Sequence, residues 1–209
     1  MSHSHLPGTL FIISAPSGAG KTSLIHALLT AMPQLTVSIS HTTRAPRPGE
    51  QNNQHYHFVS EPEFHALLAA GNFLEYAQVF DHFYGTSQQA VTQQLAAGKN
   101  VILEIDWQGA QQIRQHFNEA VSIFILPPSL NTLKQRLIHR NQDQAGVIER
   151  RLAEARNEIS HFAEYDYLII NDTFEQALNE LIAATTASLL KTSIQASKHQ
   201  ALIQSLLNK

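Results

Sequence analysis

Ala15-Pro16-Ser17-Gly18-Ala19-Gly20-Lys21-Thr22 follows the apolar run Thr9-Leu10-Phe11-Ile12-Ile13-Ser14. Seven of its eight positions satisfy the phosphate-cradling pattern G-x-x-x-x-G-K-[ST], Ala15 being the exception. The residue types follow from the chemistry. Glycines let backbone N–H groups close on phosphate oxygens, the lysine reaches the terminal phosphates, and the hydroxyl sits beside Mg²⁺. Leu24, Ile25, Leu28 and Leu29 then recur at helical spacing, so a strand enters the loop and a helix leaves it, with an anion favoured at the helix N-terminus. Ala15 requires a negative φ, because its Cβ makes the conformations open to glycine costly.

The other strands have the character of a parallel sheet. Asn100-Val101-Ile102-Leu103-Glu104-Ile105 and Val121-Ser122-Ile123-Phe124-Ile125-Leu126 are nearly continuous apolar runs, as expected of strands covered on both faces. A shorter one, Asp166-Tyr167-Leu168-Ile169-Ile170, ends in Asn171-Asp172, and a long amphipathic helix follows from Thr173. Asp106-Trp107-Gln108-Gly109 closes the first of these strands and puts an acid where Mg²⁺ or its waters would be held. The same four residues fit the D-x-x-G of GTP hydrolases, but the N-K-x-D guanine reader of such proteins occurs nowhere in the sequence.

Length and composition bound the function. The 209 residues suit one large domain or a core with insertions. With 14 Lys+Arg against 17 Asp+Glu the formal charge is −3, which offers no general surface for nucleic acid or membrane, so the basic residues that matter are local. Cysteine is absent, which removes disulfides and thiolate metal sites and fits a cytoplasmic setting. No apolar run approaches the roughly 20 residues of a membrane span. Met1 to Gly8 lack a hydrophobic signal core and read as a loose arm, His3 and His5 included.

Between the first two core strands lies a stretch of mixed character. Leu35 to Ser40 alternates as a strand, and His41-Thr42-Thr43-Arg44-Ala45-Pro46-Arg47-Pro48-Gly49-Glu50 is a loop with two arginines. Arg44 and Arg47 suit bidentate phosphate binding, the alternative being a solvated turn. His55 to Val59 alternates again. Ser60-Glu61-Pro62-Glu63 combines a capping box with an early proline, and its helix runs to Ala70 and Gly71. Phe73 to Phe80 reads as a strand with Glu75 inside it, facing either water or the paired N–H donors of a purine. Phe83-Tyr84-Gly85-Thr86 is expected to lead into a helix from Ser87 to Ala97. Further on, Ser129 caps a helix carrying Leu130, Leu133 and Leu137, and Asn141 to Gly146 is a polar break. The next helix runs from Val147 to His161. Arg136, Arg140, Arg150, Arg151 and Arg156 look like a movable phosphate clamp, or else like a hairpin salt-bridged through Glu149, Glu154 and Glu158. The tail from Thr192 keeps helical periodicity, and whether it packs on the core or in a homo-oligomer is open.

Taken together, residues 14–22, Ser40-His41-Thr42-Thr43-Arg44 with Arg47-Pro48-Gly49-Glu50, Phe83-Tyr84-Gly85-Thr86, Glu104-Ile105-Asp106-Trp107-Gln108-Gly109, Ile125-Leu126-Pro127-Pro128-Ser129 and Ile170-Asn171-Asp172 closely resemble guanylate kinases, those of bacteria in particular. The resemblance extends from Thr9 to about Leu190. It implies an α/β fold: a three-layer core with a parallel sheet (residues 1–40, 96–128 and 159–209 with the tail), a small α+β GMP-binding insertion (41–95) and a helical lid (129–158).

It also implies ATP on Ala15, Pro16, Ser17, Gly18, Ala19, Gly20, Lys21 and Thr22, with Arg140 and Asn171 completing the donor site. The acceptor GMP would meet Ser40, Arg44, Arg47 and Tyr56 at its phosphate, with Tyr84 and Gly85 alongside, and Glu75, Thr86 and Glu104 at the base. Lys21, Arg44, Asp106, Arg136, Arg140 and Arg151 would surround the transferring group, and Thr22 and Asp106 would hold Mg²⁺ directly or through water. Two departures stand out: Ala15 for the first loop glycine, and Glu104 where aspartate is also common. Neither removes a required charge or donor.

Overall fold

The structure is a computed structural model and describes residues 8–139 and 145–208, so the expectations for Met1 to Pro7, Arg140 and Asn141 to Gln144 lie outside the described residues. The apolar run ahead of the loop is strand β1 (Leu10–Ser14), every residue of it buried, and the loop passes into helix α1 (Lys21–Ala31). Next come β2 (Leu35–Val37), β3 (His41–Thr42) and β4 (His57–Phe58), helix α2 (Glu61–Ala69), β5 (Phe73–Val79), β6 (His82–Ser87) and helix α3 (Gln88–Ala96). The chain then returns to β7 (Asn100–Glu104), α4 (Trp107–His116) and β8 (Val121–Leu126). Helices α5 (Leu130–His139) and α6 (Ala145–Ser160), strand β9 (Tyr167–Ile170) and helices α7 (Phe174–Leu189), α8 (Thr192–Lys198) and α9 (Gln200–Leu207) complete it. None of the described helices is long and apolar enough to cross a membrane.

Two sheets organise these elements. The five-stranded one has the order β2-β7-β1-β8-β9, with every pair parallel. Alternate side chains of β1 part to its two faces. Phe11 and Ile13 join Leu24, Leu28, Ala177 and Leu181 under α1 and α7, whereas Leu10 and Ile12 join Val91, Leu95, Ala110 and Ile113 under α3 and α4. The continuous apolar runs of β1, β7 and β8 are thus explained by cover on both faces. The second sheet, β4-β3-β6-β5, has four strands, with β3 antiparallel to β6 and β6 antiparallel to β5.

Phe83 to Thr86 lead into helix α3 at Ser87 as expected, and they do so as part of strand β6, which pairs with β5 in a tight hairpin. The residues between these strands are Phe80 and Asp81, and Phe80 takes a φ of 54°, a left-handed conformation usually given to glycine or asparagine. The turn therefore lacks its usual sequence signal. The Leu35 to Ser40 strand is also shorter than expected, ending at Val37. Caps account for the helix starts nearby: Ser60 and Glu63 form a reciprocal capping box on α2, and Ser87 caps α3.

Candidate active site

Parallel strands direct their carboxyl ends to one edge, and the loop after β1 lies there beside the end of β7, with Ile13 in register with Glu104. Gly18 and Gly20 have φ values of 92° and 95°, so both loop positions need glycine, while Ala15 does not have a positive φ. Gly20 leads into α1 with no side-chain cap, unlike α2, α3 and α4, which leaves the first amides of α1 for an anion. Lys21 Nζ donates to the carbonyl of Ile105 at 3.1 Å.

The loop opens into a cavity of about 390 Å³ that reaches across to the second sheet. Its lining brings together Ala15, Pro16, Ser17, Gly18, Gly20, Lys21 and Thr22 with Ser40, Arg44, Arg47, Tyr56, Glu75, Tyr84, Glu104, Asp106 and Arg151. Ala19, Gly85, Thr86, Arg136 and Asn171 are not part of that lining.

On the side of the second sheet Glu75 is 3 % exposed, and a register shift in β5 between Phe73 and Glu75 turns it and Ala77 inward. Thr86, its cross-strand neighbour, is fully buried and donates to Glu75 Oε1 at 2.5 Å, with Ser40 Oγ 3.4 Å from the Thr86 hydroxyl. Burial raises the Glu75 carboxyl to about 7 despite the Thr86 bond, with nearby Asp106 adding to the rise.

A basic loop shares the same cavity. Arg44 pairs with Glu50 at 2.9 Å, and Glu50 also accepts from the Arg47 amide at 2.7 Å, so the 44–50 loop is preformed. The Arg44 guanidinium lies 5.4 Å from the Tyr56 ring centre, and burial pushes the Tyr56 phenol up. Arg151 of α6 stands 5.3 Å over the Phe80 ring, so an arginine of α6 meets the turn of the second sheet.

Several expected site residues have partners within the protein. Asn171 is buried beneath the loop, with Nδ2 donating to Ala19 O at 2.7 Å. A Cβ on Gly20 would overlap that Nδ2, a second reason for glycine there. Arg136, expected around a transferring group, donates to Asn171 O at 3.0 Å and to Ala19 O at 3.4 Å, the latter carbonyl being shared with Asn171 Nδ2. Asp106 caps α4: its Oδ1 accepts from Gly109 N at 3.0 Å and its Oδ2 from Gln108 Nε2 at 2.9 Å. The Thr22 hydroxyl donates to Glu104 at 2.5 Å.

Glu158 belongs to the cavity although the sequence suggested only a surface ion pair for it. Its Oε2 accepts from the Ser17 amide of the loop at 3.1 Å, and burial raises its carboxyl to about 7. Burial outweighs both that bond and the attraction of Lys21. The donors that suit a divalent cation here are hard oxygens, the Thr22 hydroxyl and the Glu104 and Asp106 carboxylates, all facing the one cavity. No cluster of three or more His, Cys, Asp or Glu side chains stands ready for a metal among the described residues, so a cation here would take phosphate oxygens and water as further ligands.

A parallel α/β core with a glycine-rich phosphate loop, facing a smaller mixed sheet across a cleft, defines a P-loop protein built for two ligands. The family model described as guanylate kinase matches residues 8–188. The guanylate kinase of Xanthomonas oryzae pv. oryzae is 54% identical over 201 residues, covering 96% of this chain and 99% of its own. That of Thiobacillus denitrificans is 52% identical over 196 residues, 94% of each. Among solved structures, the guanylate kinase from Anaplasma phagocytophilum superposes with a TM-score of 0.75 at 34% identity, over 91% of each chain. The chain belongs to the guanylate kinase family.

Proposed function

We propose that the chain transfers the γ-phosphoryl group of ATP to GMP, reversibly, giving ADP and GDP. The observation that carries this reading is the buried Glu75 carboxyl lining the same cavity as the phosphate loop. A donor triphosphate on the loop and an acceptor monophosphate in the second sheet then meet end to end. Phosphoryl transfer asks mainly for in-line placement and neutralised charge. The phosphate monoester is already anionic at neutral pH, so the 12 histidines need no catalytic role.

In this reading Gly18, Gly20 and the α1 amides cradle the donor phosphates, and Lys21 leaves the Ile105 carbonyl for them. Arg44 and Arg47, with Tyr56, Tyr84 and Ser40, grip the acceptor phosphate. Glu75 accepts from N1–H and the 2-amino group of guanine. Adenine lacks both donors and would leave a buried carboxylate unpaired, which is the source of selectivity. Thr86 orients Glu75, and Glu104 lies toward the loop through Thr22. Thr22 and Asp106 are the residues that would hold Mg²⁺, directly or through water. When bound, the cation neutralises charge on the donor phosphates. Arg151 reaches the cleft from the lid and excludes water as it closes.

Residues 41–95 form the acceptor unit and 129–158 the lid, within a core of 1–40, 96–128 and 159–209. Because Val91 and Leu95 of α3 pack in the core cluster, the free part of the acceptor unit ends with β6. ATP and GMP are supplied in the cytoplasm, where the reading places the chain, in purine nucleotide recycling. The test is a steady-state assay of ATP with GMP, AMP, UMP and CMP, with and without EDTA. Turnover of GMP alone, lost on chelation, is expected. Equal turnover of AMP would remove the role given to Glu75, and no turnover with any acceptor would reduce the cleft to a binding module.

A further inference from the structure

Strand β5 is an edge strand, and its open backbone faces α4 rather than another strand. Gln112 makes with Tyr76 the pair of bonds that a neighbouring strand would supply. Its Oε1 accepts from Tyr76 N at 3.1 Å and its Nε2 donates to Tyr76 O at 2.7 Å. One turn earlier Gln108 Nε2 approaches Gln78 O at 3.4 Å. Both glutamines grip residues that point away from the cavity, and the residue flanking Tyr76 on the inward side is Glu75.

Gly109 stands on α4 between these glutamines. A Cβ placed there would overlap Glu75 Oε2 and stand 3.0 Å from Glu75 Cδ, while the next neighbour, Ile105 Cβ, lies at an ordinary 3.4 Å. Gly109 is not among the glycines with positive φ, so nothing in its own backbone demands glycine. Glycine inside a helix costs about 1 kcal/mol relative to alanine. The one neighbour that profits from the missing side chain is the Glu75 carboxyl, which Thr86 holds from its other side at 2.5 Å.

We infer that Gly109 and Gln112 are positioning residues for acceptor selectivity: the bare Cα of Gly109 forms the notch that seats the Glu75 carboxylate, and Gln112 fixes β5 so that Glu75 stays in it. The inference rests on the reading of Glu75 as the guanine reader. Glycine is kept at a helical position against local propensity because a methyl group would push the acid out of line.

Four variants test this: G109A, Q112M, E75Q and G109A with E75Q, each assayed for kcat and KM with GMP, AMP and ATP and for Tm. G109A is expected to raise the KM for GMP about tenfold, the effect of spoiling one charge-assisted hydrogen bond. Its ATP KM stays within about twofold and its Tm does not fall, since alanine favours the helix. In the E75Q background the same G109A change adds less than about twofold, the non-additivity of residues acting through one another. Q112M shifts GMP KM in the same direction, again without moving ATP, and decides the matter if G109A does not fold.

If E75Q raises the GMP KM while G109A and Q112M leave it unchanged, the inference fails alone. An equal loss from G109A in both backgrounds also defeats it, by showing a merely structural role. If E75Q itself leaves GMP selectivity intact, the reading of Glu75 falls and this inference falls with it.

Discussion

Binding of the acceptor should release a proton from Glu75. In the empty protein burial lifts this carboxyl from 4.5 to about 7, which corresponds to roughly 3 kcal/mol needed to ionise it in place. Two guanine N–H groups bonded to a carboxylate contribute about 1.5–3 kcal/mol each, enough to offset that cost, so the complex holds the ionised form. At pH 6 a group titrating near 7 is about nine-tenths protonated, and at pH 8 about one-tenth. Glu75 should therefore give up about 0.9 proton per GMP at pH 6 and about 0.1 at pH 8.

Calorimetric titration in two buffers of different ionisation enthalpy measures the number directly. The GMP phosphate, with a second pKa near 6, also loses protons on binding. Glu75→Gln keeps that contribution and removes the carboxyl, so the difference between the two proteins is the quantity of interest. Where the variant binds too weakly for calorimetry, kcat/KM for GMP serves, rising with pH through about 7 in the parent and losing that component in the variant. Equal proton release by the two proteins at pH 6 would refute the assignment.

Three further outcomes follow from the geometry. Arg44→Ala, which removes the guanidinium seated between Glu50 and Tyr56, should raise the KM for GMP by about 10- to 150-fold through loss of a charge-assisted contact, with little change for ATP. Glu158→Gln bears on stability in the empty protein. Its folded carboxyl is raised from 4.5 to about 7, so its contribution is fully present below about pH 4.5 and is lost as pH rises through 7. The variant should therefore gain Tm over the parent at pH 8 by about 5–10 °C and gain little at pH 5, as read by differential scanning calorimetry. An equal shift at both pH values would argue against an ionised Glu158 under the loop. Asn171→Ala leaves the Ala19 carbonyl without its main donor and should cost about 1–3 kcal/mol in denaturant titration, together with a higher ATP KM.

The core was readable because its signals are local. Strands β1, β7 and β8 announce themselves as apolar runs, the loop glycines fall at fixed offsets, and Ser60, Ser87 and Ser129 mark helix starts that the structure retains. The hairpin of β5 and β6 was not readable, because its turn is made by Phe80 in a left-handed conformation with no asparagine or glycine to mark it. At the site, Glu75 stood out as an acid in a strand, but its inward direction depends on the register shift beside Phe73. Glu158 and Ser17 meet across 141 positions, Asn171 and Ala19 across 152, and no spacing rule reaches that far. Asp106 illustrates a different difficulty: a helix cap and a site acid call for the same residue at the end of a strand, and here one side chain meets both descriptions.

The bonds from Arg136 to Ala19 and Asn171 fasten α5 to the underside of the loop, and Leu133 and Leu137 press on the same spot, within 3.1 and 3.0 Å of where a Cβ on Gly18 would stand. Most of α5 is thus pinned to the loop, so Leu133, Arg136 and Leu137 belong with the bedrock on which a triphosphate would rest. Any slackening of that helix would reach the phosphate bed directly, with no residue in between to absorb it.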